Sequence, residues 1–278
     1  MSAEIDLAAY MARIGHAGPV AADLETLTAL QLEHQQAIAF EALDPLLGRR
    51  VKLDADSLQA KLVHGGRGGY CFEQNGLFLR VLRAIGFQVT PLAARVRWGR
   101  PEDYPPTPLS HMLLKVDLAE GPFIVDVGFG GPGPVAPLRL QAGLEQPTGL
   151  GRYRLDAAAG GFELKFRLEE RWAVMYRFTD EAQSPADYEM FNWYASAYPG
   201  SGFLGNLLAS RVVGSGRLNL WNLELTTHGP GGSVQTLVQG PAELHRLLSQ
   251  DFGIAIGLEE VDSFHDRLPR PEKPAGAG

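Results

Sequence analysis

The stretch Arg67-Gly68-Gly69-Tyr70-Cys71-Phe72-Glu73-Gln74-Asn75 contains the only cysteine of this 278-residue chain. Two glycine pairs lead up to Cys71, and an apolar helical pattern follows it as far as Gly86. A thiol at the start of a helix lies near the positive end of the helix dipole, which stabilises the nucleophilic thiolate. A lone cysteine is more often an inert core side chain. The glycine-rich approach and the polar residues 73–75 favour the alternative, a reactive cysteine at a helix N-terminus.

The first 86 residues are predicted to be helical. The helix that follows Cys71 is apolar on two sides, which is typical of a helix buried in a core. Three further helices are expected before it, over residues 7–14, from Leu24 onward, and up to the glycine pair at 65–66. Each is predicted to begin at an acidic N-cap residue, namely Asp6, Asp23 or Asp56.

From Phe87 the pattern changes to strands. Met112, Leu114, Val116 and Leu118 are expected to share one face of a strand, because side chains alternate along strands. The predicted strands cover residues 89–98, 111–118, 123–127, 151–155, 162–168, 171–178, 218–225 and 233–238. Short helices are expected at 203–208 and 241–250, and a proline- and glycine-rich tail at 268–278 is expected to fray.

Composition narrows the class of protein. The chain has 45% hydrophobic and 21% charged residues and a net charge of -7, as an ordinary globular protein does. The acidic balance disfavours nucleic-acid binding, and no apolar run reaches the roughly 20 residues that span a membrane. The opening residues lack a signal-peptide pattern. We therefore expect a cytoplasmic protein with no nucleic-acid or membrane partner.

A base and an orienting acid would complete a cysteine site. His111 begins a strand beside a proline-rich loop, where its side chain can face a cleft or simply lie on the surface. Asp126 lies in an apolar run, where a carboxylate is costly unless it is paired, either with an imidazole or with local N–H groups. If residues 119–122 form a four-residue turn, His111 and Asp126 share a face but lie roughly 13 Å apart. A bulge, a tighter turn or another strand order would have to bring them together.

Three motifs, at residues 67–75, 110–114 and 125–130, resemble the arylamine N-acetyltransferase family in order and spacing. Residues 36–43 resemble the family's Ile-Pro-Phe-Glu-Asn-Leu segment, and residues 191–203 resemble another family segment. Ala39 replaces the usual proline and Ala42 the usual asparagine, so the wall near Phe40 is expected to differ. The Cys, His and Asp positions are retained.

The resemblance implies an α+β fold with a cysteine-protease-like core. An N-terminal helical bundle (1–86) is expected to carry the nucleophile. A central β-barrel (87–190) would carry the histidine and aspartate, and a C-terminal α/β lid (191–278) would follow.

The implied activity is acetyl transfer by a ping-pong route. Acetyl-CoA would be the co-substrate and an arylamine, arylhydrazine or N-arylhydroxylamine the acceptor, as in xenobiotic metabolism. Cys71 would carry the acetyl group, His111 would act as base and Asp126 would orient it. No metal and no tightly bound cofactor are expected. A homodimer is compatible with the resemblance, which does not decide the oligomeric state.

The resemblance also implies binding residues. Five aromatic or apolar side chains match substrate-lining positions, namely Phe40, Tyr70, Val96, Phe129 and Phe203. Two hydroxyls, those of Thr107 and Thr226, are candidate hydrogen-bond donors to the coenzyme.

Three other functions stay open. A transglutaminase-like cysteine hydrolase would use the same three residues, and an amide synthase would use them to close a macrolactam. A non-catalytic binding protein would need none of them.

Overall fold

The computed structural model describes residues 5–101 and 103–270. Its first part is helical, as predicted. The elements there are α1 (Leu7–Ile14), α2 (Leu24–Ala37), β1 (Phe40–Glu41), α3 (Leu43–Leu46), α4 (Ala55–Leu58) and α5 (Cys71–Ile85). Helix α4 continues directly into a π-helical segment, Gln59–His64.

Acidic residues cap helices α1, α2 and α4, although one of the three predicted caps is wrong. The carboxylates of Asp6 and Asp23 accept the backbone N–H three residues on, at 2.9 and 2.8 Å. Helix α4 is capped by Asp54, whose carboxylate accepts from Ser57 N at 2.9 Å. Asp56 already lies inside that helix, so it cannot hold the extended backbone that an N-cap residue needs.

Helix α5 lies in the centre of the helical part. It ends at Gly86, whose φ of 110° is in the left-handed region that glycine adopts at helix ends. Its two apolar stripes are fully buried, as seen at Leu77, Phe78, Val81 and Leu82. Cys71 is therefore the first residue of a helix that packing holds rigidly.

An antiparallel sheet of eight strands curves into a nearly closed barrel next to α5. Along the sheet the strands follow the order β5-β4-β3-β2-β9-β8-β7-β6. Their bounds are β2 (Gln88–Val96), β3 (Leu109–Leu118), β4 (Gly121–Val125), β5 (Leu138–Arg139), β6 (Glu145–Thr148), β7 (Gly151–Ala158), β8 (Gly161–Leu168) and β9 (Arg171–Phe178).

Strand β3 separates two cores. Met112, Leu114 and Val116 pack with the helical part, as the alternation predicted. Leu113 belongs to the barrel interior. His111 has the same parity as Leu113, so β3 turns its imidazole toward the barrel side.

The hairpin after β3 is tighter than the four-residue turn considered from the sequence. Leu118 pairs with Gly121, which leaves a two-residue turn, and Leu114 pairs with Val125. This shifts Asp126 two positions toward His111 compared with the looser turn. The tighter turn is thus part of what brings the two side chains together.

The last part combines helices with a second sheet. That five-stranded sheet has the order β1-β10-β11-β12-β13, so its first strand comes from the helical part of the chain. The remaining elements are α6 (Pro185–Ala197), a 3₁₀ turn (Gly202–Leu204), β10 (Leu208–Val213), β11 (Gly216–Trp221), β12 (Glu224–Gly229), β13 (Gly232–Leu237), α7 (Pro241–Arg246) with a π-helical extension (Leu247–Asp251), and α8 (Leu258–His265).

Two predictions for this part need correction. A single strand over 218–225 is wrong, because Asn222, with φ of 54°, turns the chain between β11 and β12. The predicted helix at 203–208 is only a 3₁₀ turn, since β10 begins at Leu208. Helices α6 and α8 were not predicted, and α6 runs through the expected boundary between residues 190 and 191. Most of the tail predicted to fray, residues 271–278, lies outside the described residues.

Within the described residues, no helix is both long and apolar enough to cross a bilayer.

Candidate active site

The thiol of Cys71 lies at the head of α5, with 4% of the residue exposed. Tyr70 before it is extended, and the Glu73 carboxylate accepts Tyr70 N–H at 3.1 Å, which closes the first turn. Cys71 Sγ is 3.6 Å from the carbonyl oxygen of Ser110. The thiol therefore faces the start of β3, where the imidazole of His111 lies.

His111 and Asp126 form a buried pair, with 2.7 Å between Nε2 and Oδ2. An ionised carboxylate can only accept, so Nε2 carries the proton that it donates to Asp126. The other ring nitrogen, Nδ1, is then the one that can exchange a proton with Cys71. This is the tautomer that a general base toward the thiol requires.

Charge and hydrogen bonds together shift both pKa values of the His111–Asp126 pair more than burial does. Burial alone would lower the pKa of His111, but the charge and hydrogen bond of Asp126, with smaller contributions from Cys71, raise it to about 10. Burial would raise the pKa of Asp126, but the charge of His111 and hydrogen bonds from His111, Asn75 and Gly128 hold it below its usual range. The site therefore favours a protonated imidazole next to an ionised carboxylate.

Asp126 is held by groups that the sequence alone did not single out. Asn75 donates to Asp126 Oδ1 at 3.0 Å and to the Met112 carbonyl at 2.8 Å, and its own oxygen accepts Val127 N–H at 3.0 Å. Tyr176 donates its hydroxyl to Asp126 Oδ2 at 3.1 Å. Asn75 lies one helical turn after Cys71, a spacing that already placed it on the same face of α5.

A close approach at Gly128 brings the loop after β4 against α5. A Cβ at this position would lie 2.7 Å from Cys71 Cα and 2.7 Å from Asn75 Nδ2. Real Cβ atoms essentially never come that close. Residue 128 must therefore be glycine for Asp126 and Cys71 to keep their present separation.

A cleft of about 1270 Å³ opens above the thiol, between the barrel and the second sheet. Cys71 and His111 both line it. Aromatic side chains from both sides contribute to its walls, including Phe129, Phe166, Phe203, Trp98 and Trp221. The cleft is large enough for a substrate much larger than an acetyl group and offers an apolar surface beside the thiol.

The structure places four of the five predicted lining residues on this cleft, namely Phe40, Val96, Phe129 and Phe203. Tyr70 differs, because it is fully buried and is not among the described residues that line the cleft. Its hydroxyl donates to Asn192, and its ring meets Phe203 edge to face at 5.5 Å between centroids. Tyr70 thus supports the wall from behind.

The two threonines proposed for the coenzyme lie in different surroundings. Thr226 lines the cleft on β12. Thr107 is not among the described lining residues, and its hydroxyl donates to the Val96 carbonyl at 2.8 Å. Thr107 therefore ties the proline-rich loop to the end of β2.

A helix-borne thiol that meets an imidazole and a carboxylate from an antiparallel barrel places the chain in the class of proteins with a cysteine-protease-like core. A family model described as N-acetyltransferase matches residues 23–261. The chain belongs to the arylamine N-acetyltransferase family, and it is an acyltransferase.

Known relatives agree along most of the chain. It is 42% identical to an arylamine N-acetyltransferase of Escherichia coli, over 89% of this chain and 88% of that one. It is 40% identical to an arylamine N-acetyltransferase of Mycobacterium tuberculosis, over 91% and 90%. The solved Mycobacterium marinum arylamine N-acetyltransferase in complex with CoA superposes with a TM-score of 0.91 at 38% identity, over 95% of this chain and 99% of that one.

Proposed function

We propose that this enzyme transfers an acetyl group from acetyl-CoA to arylamines, arylhydrazines or N-arylhydroxylamines through an acetyl-Cys71 intermediate. The observation that carries the proposal is the Cys71 thiol at the head of α5, on the cleft and beside a His111–Asp126 pair at 2.7 Å. The relative that binds CoA supports the choice of donor.

In the first half-reaction, His111 Nδ1 takes the thiol proton while Asp126 accepts the Nε2–H bond. The Cys71 thiolate attacks the thioester carbonyl, and the bond between that carbon and the coenzyme sulfur breaks. The imidazolium returns its proton to the leaving coenzyme thiolate. The N–H groups of the first turn of α5 have no partner inside the helix, so that of Cys71 can stabilise the oxyanion.

In the second half-reaction, the amine nitrogen attacks the acetyl-Cys71 carbonyl. His111 removes the N–H proton, and the Cys71 thiolate leaves and is reprotonated. An aromatic amine is a weak base and stays neutral near pH 7, so it arrives with its lone pair free. The aromatic walls at Phe40, Phe129 and Phe203 suit such a ring and keep water from the thioester.

The decisive experiment isolates the intermediate. Incubation with acetyl-CoA alone should add one acetyl group, located by peptide mass mapping at Cys71, and an arylamine should then remove it. Initial rates over both substrates should give parallel double-reciprocal plots. Because Cys71 is the only cysteine, Cys71→Ser is a clean control that should remain unlabelled. Intersecting plots without an acetylated peptide would indicate direct transfer and overturn the proposal.

The same assay separates the alternatives. Steady release of coenzyme A without any amine would indicate a cysteine hydrolase. An enzyme that accepts an amine at the end of a long chain but rejects small arylamines would be an amide synthase. A thiol that neither acetylates nor alkylates would indicate a binding protein.

A further inference from the structure

A group of five charged side chains lies against the first turn of α5, outside the three reacting residues. We call it the charge cluster. Its members come from β1, α3, the π-helical segment, the glycine-rich loop and α5, and they are Glu41, Asp44, Lys61, Arg67 and Glu73. Their side chains are 0% to 17% exposed. Three carboxylates thus share two cations in a largely buried site.

Lys61 lies between two of these carboxylates. Its Nζ is 2.6 Å from Asp44 Oδ2 and 2.6 Å from Glu73 Oε1. Arg67 pairs with Glu41 and also with Asp44. Its Nη2 is 2.8 Å from Glu41 Oε1 and 3.2 Å from Asp44 Oδ1. Glu73 therefore depends on Lys61 for its only ion pair among the described residues.

Glu73 connects this cluster to the nucleophile. Its second oxygen, Oε2, accepts the N–H of Tyr70, the residue before Cys71, at 3.1 Å. A Cβ at Gly69 would lie 2.8 Å from the Glu73 side chain, so the carboxylate packs tightly against the loop. The position of the Tyr70–Cys71 peptide thus depends on where Glu73 is held.

Glu73 is also the nearest carboxylate to Cys71 along α5, two residues away. The charge of Cys71 raises the pKa of His111, Tyr70 and Tyr188, and Asp126 lies behind His111. Burial raises the pKa of both tyrosines, so they stay neutral near pH 7. Without Lys61, the buried Glu73 carboxyl would take up a proton near neutral pH, because burial already raises its pKa to about 7 against the opposing charge of Lys61.

We propose that Lys61 is a positioning residue for Cys71: it keeps Glu73 ionised and bonded to the Tyr70 N–H, and so holds the Tyr70–Cys71 peptide at the head of α5. This inference rests on the thiolate chemistry proposed above. Burial raises the pKa of Glu73 to about 7, against the opposing charge of Lys61. Burial would lower the pKa of Lys61, but the charges of Glu73, Glu41 and Asp44 raise it well above its ordinary value.

The test compares the rate of Cys71 alkylation by iodoacetamide across pH in a set of variants. Lys61→Gln should slow alkylation at pH 7 about tenfold and move the rise of the rate to higher pH, because Glu73 is then ionised, and able to hold the Tyr70 N–H as a carboxylate, only at higher pH. Lys61→Arg should stay within about threefold of the unmodified enzyme. Lys52→Gln, at an exposed lysine, is the matched control and should change nothing.

A second variant guards against a purely structural effect. Adding Glu73→Gln to Lys61→Gln supplies an amide oxygen that can accept Tyr70 N–H at every pH, so most of the alkylation rate at pH 7 should return. A folded Lys61→Gln enzyme with an unchanged pH profile would overturn the inference, as would a double variant no faster than the single one. Failure of the unmodified enzyme to alkylate or acetylate at Cys71 would instead overturn the proposed function.

Discussion

Substituting Gly128 by alanine should disable the enzyme without touching any reacting side chain. The new Cβ would begin 2.7 Å from Cys71 Cα, whereas ordinary contact starts at 3.4 Å, so the loop or the helix must move by about 0.7 Å. The two atoms in contact are Cys71 Cα, which is part of the backbone, and Asn75 Nδ2, which is held by hydrogen bonds. Neither can rotate away from the new Cβ. The movement separates Asp126 from the head of α5.

The size of the effect follows from that displacement. A misplacement near 1 Å in a reacting group costs about 10²-fold in rate, so kcat/KM should fall about a hundredfold. Overpacking a tight contact should also cost about 1–3 kcal/mol of stability. The assays are steady-state acetyl transfer and thermal unfolding, measured side by side.

Gly205→Ala is the matched control, because no atom lies within 4 Å of its added Cβ and its φ is -124°. It should leave kcat/KM and the melting temperature nearly unchanged. A folded Gly128→Ala enzyme with kcat/KM within threefold of the unmodified protein would refute the reasoning, since it would show that the contact is not needed to place the catalytic groups.

Asp126→Asn should lower acetyl transfer by about 10⁴-fold, because the amide favours the wrong imidazole tautomer; near-normal turnover by a folded variant would contradict this. His34 is fully buried between Tyr10 and Gln74, and burial lowers its pKa to about 4. Its neutral form therefore stabilises the fold fully above pH 6.5, and the stabilisation that His34→Gln removes, read from denaturant titrations, should be about 2 kcal/mol smaller at pH 5 than at pH 7; an equal difference at both pH values would count against it. Burial would raise the pKa of Asp44, but Lys61 and Arg67 lower it below the ordinary value. The contribution of Asp44 to the free energy of unfolding is present above that ordinary pKa and is lost on acidification. Asp44→Asn should therefore have a lower melting temperature than the unmodified protein at pH 6, but its melting temperature should fall less between pH 6 and pH 3. An equal fall in both proteins would argue against the ion pairs.

Local signals in the sequence were enough to predict that Cys71 lies at the head of a buried helix. The glycine pairs before Cys71, the double apolar stripe after it and Gly86 at its end are all properties of a single segment. Alternation likewise assigned Met112, Leu114 and Val116 to one face of β3, because side-chain direction in a strand follows parity alone.

Features that depend on contacts between distant segments were not predictable in this way. The two-residue turn before Gly121 decides how close His111 and Asp126 come, and nothing in residues 119–122 excludes the looser turn. The choice of Asp54 over Asp56 as a cap depends on where the backbone leaves the extended conformation. Tyr70 was expected on the cleft because the family resemblance matches it to a substrate-lining position, but its hydroxyl donates to Asn192, which is far away in sequence.

The pairing of β1 with β10 has a consequence for the order of assembly. The loop before Cys71 is bonded to β1 through Glu41 N and Gly69 O at 3.0 Å, and β1 pairs in turn with Ser210 and Ala209 of β10. A ribosome adds about 5–20 residues per second, so roughly 140 residues and on the order of ten seconds of synthesis separate the loop from its distant partner. During that interval the nascent chain carries the Cys71 thiol before the surrounding site is complete. The time needed for translation therefore delays the point at which the site can react.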